Sequence, residues 1–183
     1  MLHGHQLTAA IRSLVSRPLR DRFYRAMLLK YAGDPLGRQR PITANRFNIE
    51  NGVRVLYLAE TSETTLHEVR AFGFPALSVT IVPIAVNLKA IIDLRDANTL
   101  KARQLTSRDL SVNFRAAPSD SLPTFTQELG ERCATIGCVD GILYESLALP
   151  GTANLAVIEA GLTHLKSSVT VNDPVNNLQD TLP

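Results

Sequence analysis

The chain has 183 residues, 45% of them hydrophobic and 20% charged, and its 19 basic against 17 acidic residues leave a formal charge of +2. That length and apolar content predict one globular domain spanning residues 1–183 and exclude a disordered chain. So even a balance excludes a partner gripped by net positive charge, so no direct nucleic-acid binding is expected and any phosphate site has to be local.

The N-terminus, MLHGHQLTAAIRSLVSRPLRDRF, lacks the order of a secretory signal. No stretch approaches the ~20 apolar residues that span a bilayer, so a cytoplasmic protein without a membrane partner is expected. Leu7, Ala10, Ile11, Leu14 and Val15 recur at helical spacing and predict a helix over residues 7–15, with Pro18 breaking the pattern. DRFYRAMLLKYAG opens on β-favouring aromatics, and GDPLGRQRPITANRFN crowds Gly, Pro, Asn and Arg into a cationic loop. After the turn signal ENG, Val53, Val55, Tyr57 and Ala59 alternate with Arg54, Leu56 and Leu58 as in an interior strand.

The next segment predicts a helix started by Thr61 or Ser62, with Glu63 complementing its dipole. Leu66, Val69 and Phe72 form its buried stripe, and Gly73 and Pro75 end it. ALSVTIVPIAVNLKAIIDL reads as two strands or one bent ribbon, because Pro83 removes a ladder donor and favours a break or bulge there. Residues 95–123 give only weak helix and loop signals. TFTQELGERCATIGC places Phe125, Leu129, Cys133 and Ile136 on one helical face, and DGILYES and NLAVIEA read as strands joined by LALPGTA. Rich in Asn, Asp and Pro, the tail 169–183 is expected to pack loosely.

Most motifs for ordinary chemistry are missing. Cys133 and Cys138 lie at no metal-ligand spacing and read as buried thiols, and His3, His5, His67 and His164 form no metal-binding pattern. There is no Walker lysine loop, no Gly-x-Gly-x-x-Gly fingerprint and no Gly-x-Ser-x-Gly elbow around Ser146, which rules against a serine-hydrolase triad. What remains is a constellation in which Arg46 precedes a strand, Tyr57 lies on it and Glu68 lies on the following helix. A strand followed directly by a helix can bring the three together. Each also has a plainer reading: Glu68 as a solvated glutamate beside Arg70 or His67, Arg46 as a solubilising loop residue, and Tyr57 as sheet packing. Ser146 follows a strand and precedes a Pro-Gly loop, where a hydroxyl can meet a ligand.

The ordered set FYRA, NRFN…VLYLAETSETTLHEV and DGILYES…ANLAVIEA resembles the RES domain family, toxins of bacterial toxin–antitoxin pairs named for an arginine, a glutamate and a serine. Those residues match Arg46, Glu68 and Ser146, and the resemblance covers a core of about residues 23–160. Where family members carry a Gly-Gly-Arg-Trp-Asn-like sequence this chain has ANRFN, with Asn45 at a glycine position and Phe47 keeping an aromatic ring.

The resemblance implies a compact α/β (α+β) fold with a split or strongly bent mixed sheet, like an ADP-ribosyltransferase. It implies that NAD is consumed as a substrate, by phosphorolysis or hydrolysis of its nicotinamide–ribose bond, with inorganic phosphate as an alternative co-substrate and no permanently bound cofactor. It also implies a hetero-oligomeric complex with an Xre-like antitoxin that covers the active site. In that reading Glu68, Arg46 and Ser146 are catalytic, and Arg25, Tyr57, Asn45 and Asn154 bind substrate. Two other functions are compatible with the same residues: ADP-ribosyl transfer to a host protein, and a catalytically inactive binding module, the latter motivated by Asn45.

Overall fold

The computed structural model describes residues 5–12, 17–71, 78–96, 100, 122–173 and 178–183. Its strands are β1 (Arg17–Leu28), β2 (Val55–Ala59), β3 (Val79–Asp93), β4 (Gly141–Glu145), β5 (Ala153–Ile158), β6 (Ser168–Asp173) and β7 (Leu178–Leu182). The helices are α1 (His5–Arg12), α2 (Ser62–Ala71), α3 (Phe125–Ile136) and α4 (Glu159–Leu165), and a 3-10 turn covers Leu29–Tyr31.

All seven strands form one mixed sheet in the order β1-β2-β5-β4-β3-β6-β7, and β1 pairs with β3 as well as with β2. The first five strands therefore close into a ring, with β6 and β7 appended along β3. The β3–β4 pair is parallel and the others are antiparallel. This is the strongly bent mixed sheet that the family resemblance implies.

Side-chain alternation sends one set of residues from every strand into a common core that includes Phe23, Leu58, Ile84, Leu143, Leu155, Val169 and Leu182. The opposite faces of β4 and β5 are buried as well. There Ile142, Tyr144, Ala156 and Ile158 pack with Phe125, Leu129 and Cys133 of α3 and with Leu7 and Ile11 of α1. Doubly covered strands read as continuous apolar runs, and all six residues of β5 are buried. The fully buried carboxylate of Asp140 ties the layers together by accepting the Lys89 and Ala90 N–H groups and the Ser167 hydroxyl.

Three sequence expectations change. Pro83 neither breaks nor bulges its strand: the β1–β3 ladder runs without interruption from Leu19↔Leu88 to Leu28↔Val79. The missing donor is harmless because β6, the strand on the other side of β3, pairs only from Ala85 to Asn87. Pro18 stands inside β1, and the N-terminal helix is described as far as Arg12, with residues 13–16 outside the described set.

The described part of the tail is not loosely packed. Val169 and Val171 are fully buried, Leu182 nearly so, and β7 pairs with β6 from Val169↔Leu182 to Asp173↔Leu178. Alternating Val169 and Val171 with Ser168, Thr170 and Asn172 makes a half-buried strand, whatever its average polarity. Arg38 adds a hydrogen bond to the Thr181 carbonyl and a 2.9 Å ion pair with Asp180.

Finally, α2 is capped by Thr61, whose hydroxyl accepts the Thr64 N–H, but its buried residues are Thr64 and Thr65, with Leu66 and Val69 only half-buried. The threonines can bury because Thr64 shares a hydrogen bond with Thr61 and Thr65 donates to the Tyr24 carbonyl. Phe72, Gly73 and Pro75, along with most of the weak segment between residues 95 and 123, lie outside the described residues.

Candidate active site

Along β3, β1 is paired over its length, but it meets β2 at one register position, Tyr24↔Ala59. The sheet consequently splays between β1 and β2, and α2, tied to β1 through Thr65, lies beside the opening. The result is a cavity of about 370 Å³ lined by β1, β2, α2, the loop from Arg40 to Arg46, Tyr144 and Asn154. That volume is in the range of small-molecule sites.

Strand register explains which side chains meet there. Tyr57 pairs with Ala156, while Asn154 pairs with Ala59 on one side and Tyr144 on the other. Paired residues share a face, so Tyr57, Asn154 and Tyr144 project from the same side of β2, β5 and β4. From α2, Glu68 joins them: it lies three and four positions after Thr65 and Thr64, the helix's buried residues.

One carboxylate oxygen of Glu68 is doubly held. The Ser146 hydroxyl donates to Oε1 at 2.7 Å and the Asn154 amide donates to the same atom at 2.5 Å. Glu68 itself lines the cavity. The Ser146 hydroxyl also accepts the Leu149 N–H at 3.1 Å, and Ser146 is buried and absent from the cavity wall. It meets Glu68 rather than the space where a ligand would sit. Asn154, also buried, does line the cavity.

Arg46 extends across the ring of Tyr144, its guanidinium carbon 5.3 Å from the ring centroid. Arg25 enters from β1, donates to the Pro35 carbonyl at 2.9 Å and packs beside Gly37, whose φ of +72° and missing side chain leave room for Arg25 and Arg40. Burial, together with the Arg40 charge, lowers the Arg25 pKa to about 10, so the group stays cationic at neutral pH. Arg40 lines the cavity too, its guanidinium carbon 5.1 Å from the ring centroid of Tyr31 at the rim. Three guanidinium groups and the Glu68 carboxylate thus line one cavity.

Tyr57 lines the cavity, but its hydroxyl is engaged elsewhere: it accepts the Phe47 N–H and donates to Asn48 Oδ1, both at 2.9 Å. Burial pushes its pKa well above the ordinary value, which keeps the phenol a donor. Asn45, where the sequences it resembles carry glycine, has no positive φ, and its side-chain oxygen accepts the Arg46 N–H at 2.8 Å. The asparagine therefore fits without backbone strain.

The sequence brings Arg25, Asn45, Arg46, Tyr57, Glu68, Ser146 and Asn154 into one neighbourhood. It gave no role to Tyr144 or Thr65, although the Thr64-Thr65 pair one turn before Glu68 was a visible sign of a polar, sheet-facing side. Among the described residues no group of three or more His, Cys, Asp or Glu is placed to hold a metal ion. Cys133 is a buried free thiol whose pKa is raised by burial, and Cys138 is half-buried and also free.

Comparison with curated proteins finds no significant match. Among solved structures, the crystal structure of the M. tuberculosis MbcT–MbcA toxin–antitoxin complex contains a chain similar in fold, with a TM-score of 0.65 and 15% sequence identity. The superposition covers 94% of this chain and 95% of that one. The family model described as the RES domain matches residues 22–176, a span that takes in every strand from β2 to β6 and all the cavity residues named above. On that match, the chain belongs to the RES domain family.

Proposed function

We propose that the cavity binds NAD and cleaves the bond between nicotinamide and ribose, and that the chain is the toxin of a toxin–antitoxin pair. The observation that carries this reading is the doubly held Glu68 carboxylate in the same cavity as Arg25, Arg40 and Arg46. An anionic diphosphate suits the arginines, whose planar, permanently charged groups bind phosphate oxygens in pairs. A carboxylate suits the reacting sugar.

As the C1′–N bond breaks, its electron pair returns to the pyridinium ring, nicotinamide leaves neutral, and positive charge gathers on the ribose. The Glu68 carboxylate then stabilises the transition state more than the ground state, because the charge it faces is only developing. With Oε1 already oriented by Ser146 and Asn154, little reorganisation accompanies that charge. Tyr57 offers its ring as a wall for the departing base while its hydroxyl stays bound to the Phe47 and Asn48 groups. A phosphate oxygen attacking C1′ gives ADP-ribose 1-phosphate; a water gives ADP-ribose and a proton. No resident cofactor takes part.

Support for a protein partner comes from the similar fold in a toxin–antitoxin complex and from the exposed apolar Leu29 and Tyr31 beside the cavity mouth. An Xre-like antitoxin seated there would keep soluble NAD out. A cytoplasmic location goes with this reading, because NAD is the accessible pool there.

Incubating the purified chain with NAD, with and without inorganic phosphate, and identifying the products by mass tests the reading. Nicotinamide together with ADP-ribose or its 1-phosphate is the expected outcome. Undiminished NAD under both conditions would reject it, and ADP-ribose attached to an added protein acceptor would redirect it to transferase chemistry.

A further inference from the structure

The loop 45–53 carries Arg46, and much of what holds it comes from a helix about 80 residues away in sequence. Three residues on one face of α3, Gln127, Gly130 and Glu131, meet its backbone. The Gln127 amide donates to the carbonyls of Asn45 at 3.1 Å and Asn48 at 3.4 Å, while its oxygen accepts the Thr124 N–H that closes the helix cap. Glu131 Oε1 accepts the N–H groups of Ile49 at 3.3 Å and Val53 at 3.0 Å. Between them Gly130 admits the loop so closely that a Cβ there would stand 1.8 Å from the Phe47 carbonyl oxygen.

These contacts bracket Arg46. Asn45 precedes it, Asn48 follows it by two residues, and Ile49 and Val53 lie just beyond. We propose that Gln127 and Glu131 are positioning residues for Arg46: by fixing the backbone on both sides of it, they keep its guanidinium over the Tyr144 ring and in the cavity. The inference rests on the reading above, in which Arg46 binds a phosphate group of the substrate. Neither residue lines the cavity, so neither touches the substrate.

ADP-ribose is the probe, its affinity measured by calorimetry, with amide hydrogen exchange at Ile49 and Val53 and the melting temperature read on the same proteins. Glu131→Ala is expected to speed exchange at both amides and weaken ADP-ribose about tenfold, the loss of a charge-assisted hydrogen-bond pair. Glu131→Gln restores both, since a carboxamide oxygen accepts the same two N–H groups. Gln127→Glu keeps the acceptor for Thr124 but sets an anion against two carbonyls, and is expected to weaken binding similarly if Glu131→Ala melts too low to assay. Adding Glu131→Ala to Arg46→Ala costs no further affinity.

A wild-type protein that binds ADP-ribose while both Glu131→Ala and Gln127→Glu bind it equally well overturns the clamp alone. So does an equal loss from Glu131→Ala with and without Arg46, which would mark a general structural role. A wild-type protein that fails to bind ADP-ribose rejects the nucleotide reading and the role of Arg46 with it.

Discussion

Glu68 is fixed through its own carboxylate, by the Ser146 hydroxyl and the Asn154 amide, whereas the segment bearing Arg46 is fixed through backbone groups, by side chains of α3. The difference fits what each is asked to do. A carboxylate facing charge that develops during bond breaking gains from a single fixed orientation. A guanidinium that grips phosphate gains from a fixed root and a long side chain that can follow the ligand. The comparison teaches that one group in a cavity can be oriented through its own charged atoms and another largely through the backbone that carries it.

The sharpest way to break that comparison is to loosen Glu68. Ser146→Ala or Asn154→Ala alone is expected to lower kcat about tenfold, the effect of one charge-assisted hydrogen bond, with little change in KM. The double variant is expected to approach the loss predicted on removing Glu68 itself, because an undirected carboxylate is close to an absent one. Steady-state kinetics decides it: a rise in KM at unchanged kcat would mean that the two residues bind ground-state substrate instead.

The Arg46 side is tested by Gly130→Ala. A Cβ 1.8 Å from the Phe47 carbonyl oxygen forces the loop away from α3. Overpacking of this kind costs ~1–3 kcal/mol, a fall in melting temperature of roughly 2–12 °C for a chain of this size. Calorimetric melting reads the stability, and the loss in kcat/KM is expected to appear mainly in KM. An unchanged melting temperature would show that the loop has room to spare.

How much of this could be read in the sequence follows from what is local. The apolar spacing of Phe125, Leu129 and Cys133 marks α3, and the runs GILYE and ANLAVI mark two doubly buried strands. Arg46, Tyr57 and Glu68 fall on a loop, a strand and a helix within 23 residues, so their meeting needs only a strand-to-helix turn. Ring closure between β1 and β3 was not visible, because register between distant strands is set by the whole core. Tyr144 reads as one more apolar strand residue until the register with Asn154 places it in the wall. The C-terminal strands were legible in the alternation at Val169 and Val171, but average composition concealed it. Gln127 and Glu131 look like ordinary helix surface residues, and only the neighbouring loop gives them work.

The central claim is that the Glu68 carboxylate stabilises charge on the ribose, and the most direct measurement is the rate of nicotinamide release from saturating NAD by Glu68→Gln beside the wild type. The account predicts a loss in kcat of roughly a hundred- to a thousand-fold, ~3–4 kcal/mol of transition-state stabilisation, with the melting temperature and NAD affinity nearly unchanged. A folded Glu68→Gln that turns over NAD as fast as the wild type would contradict it.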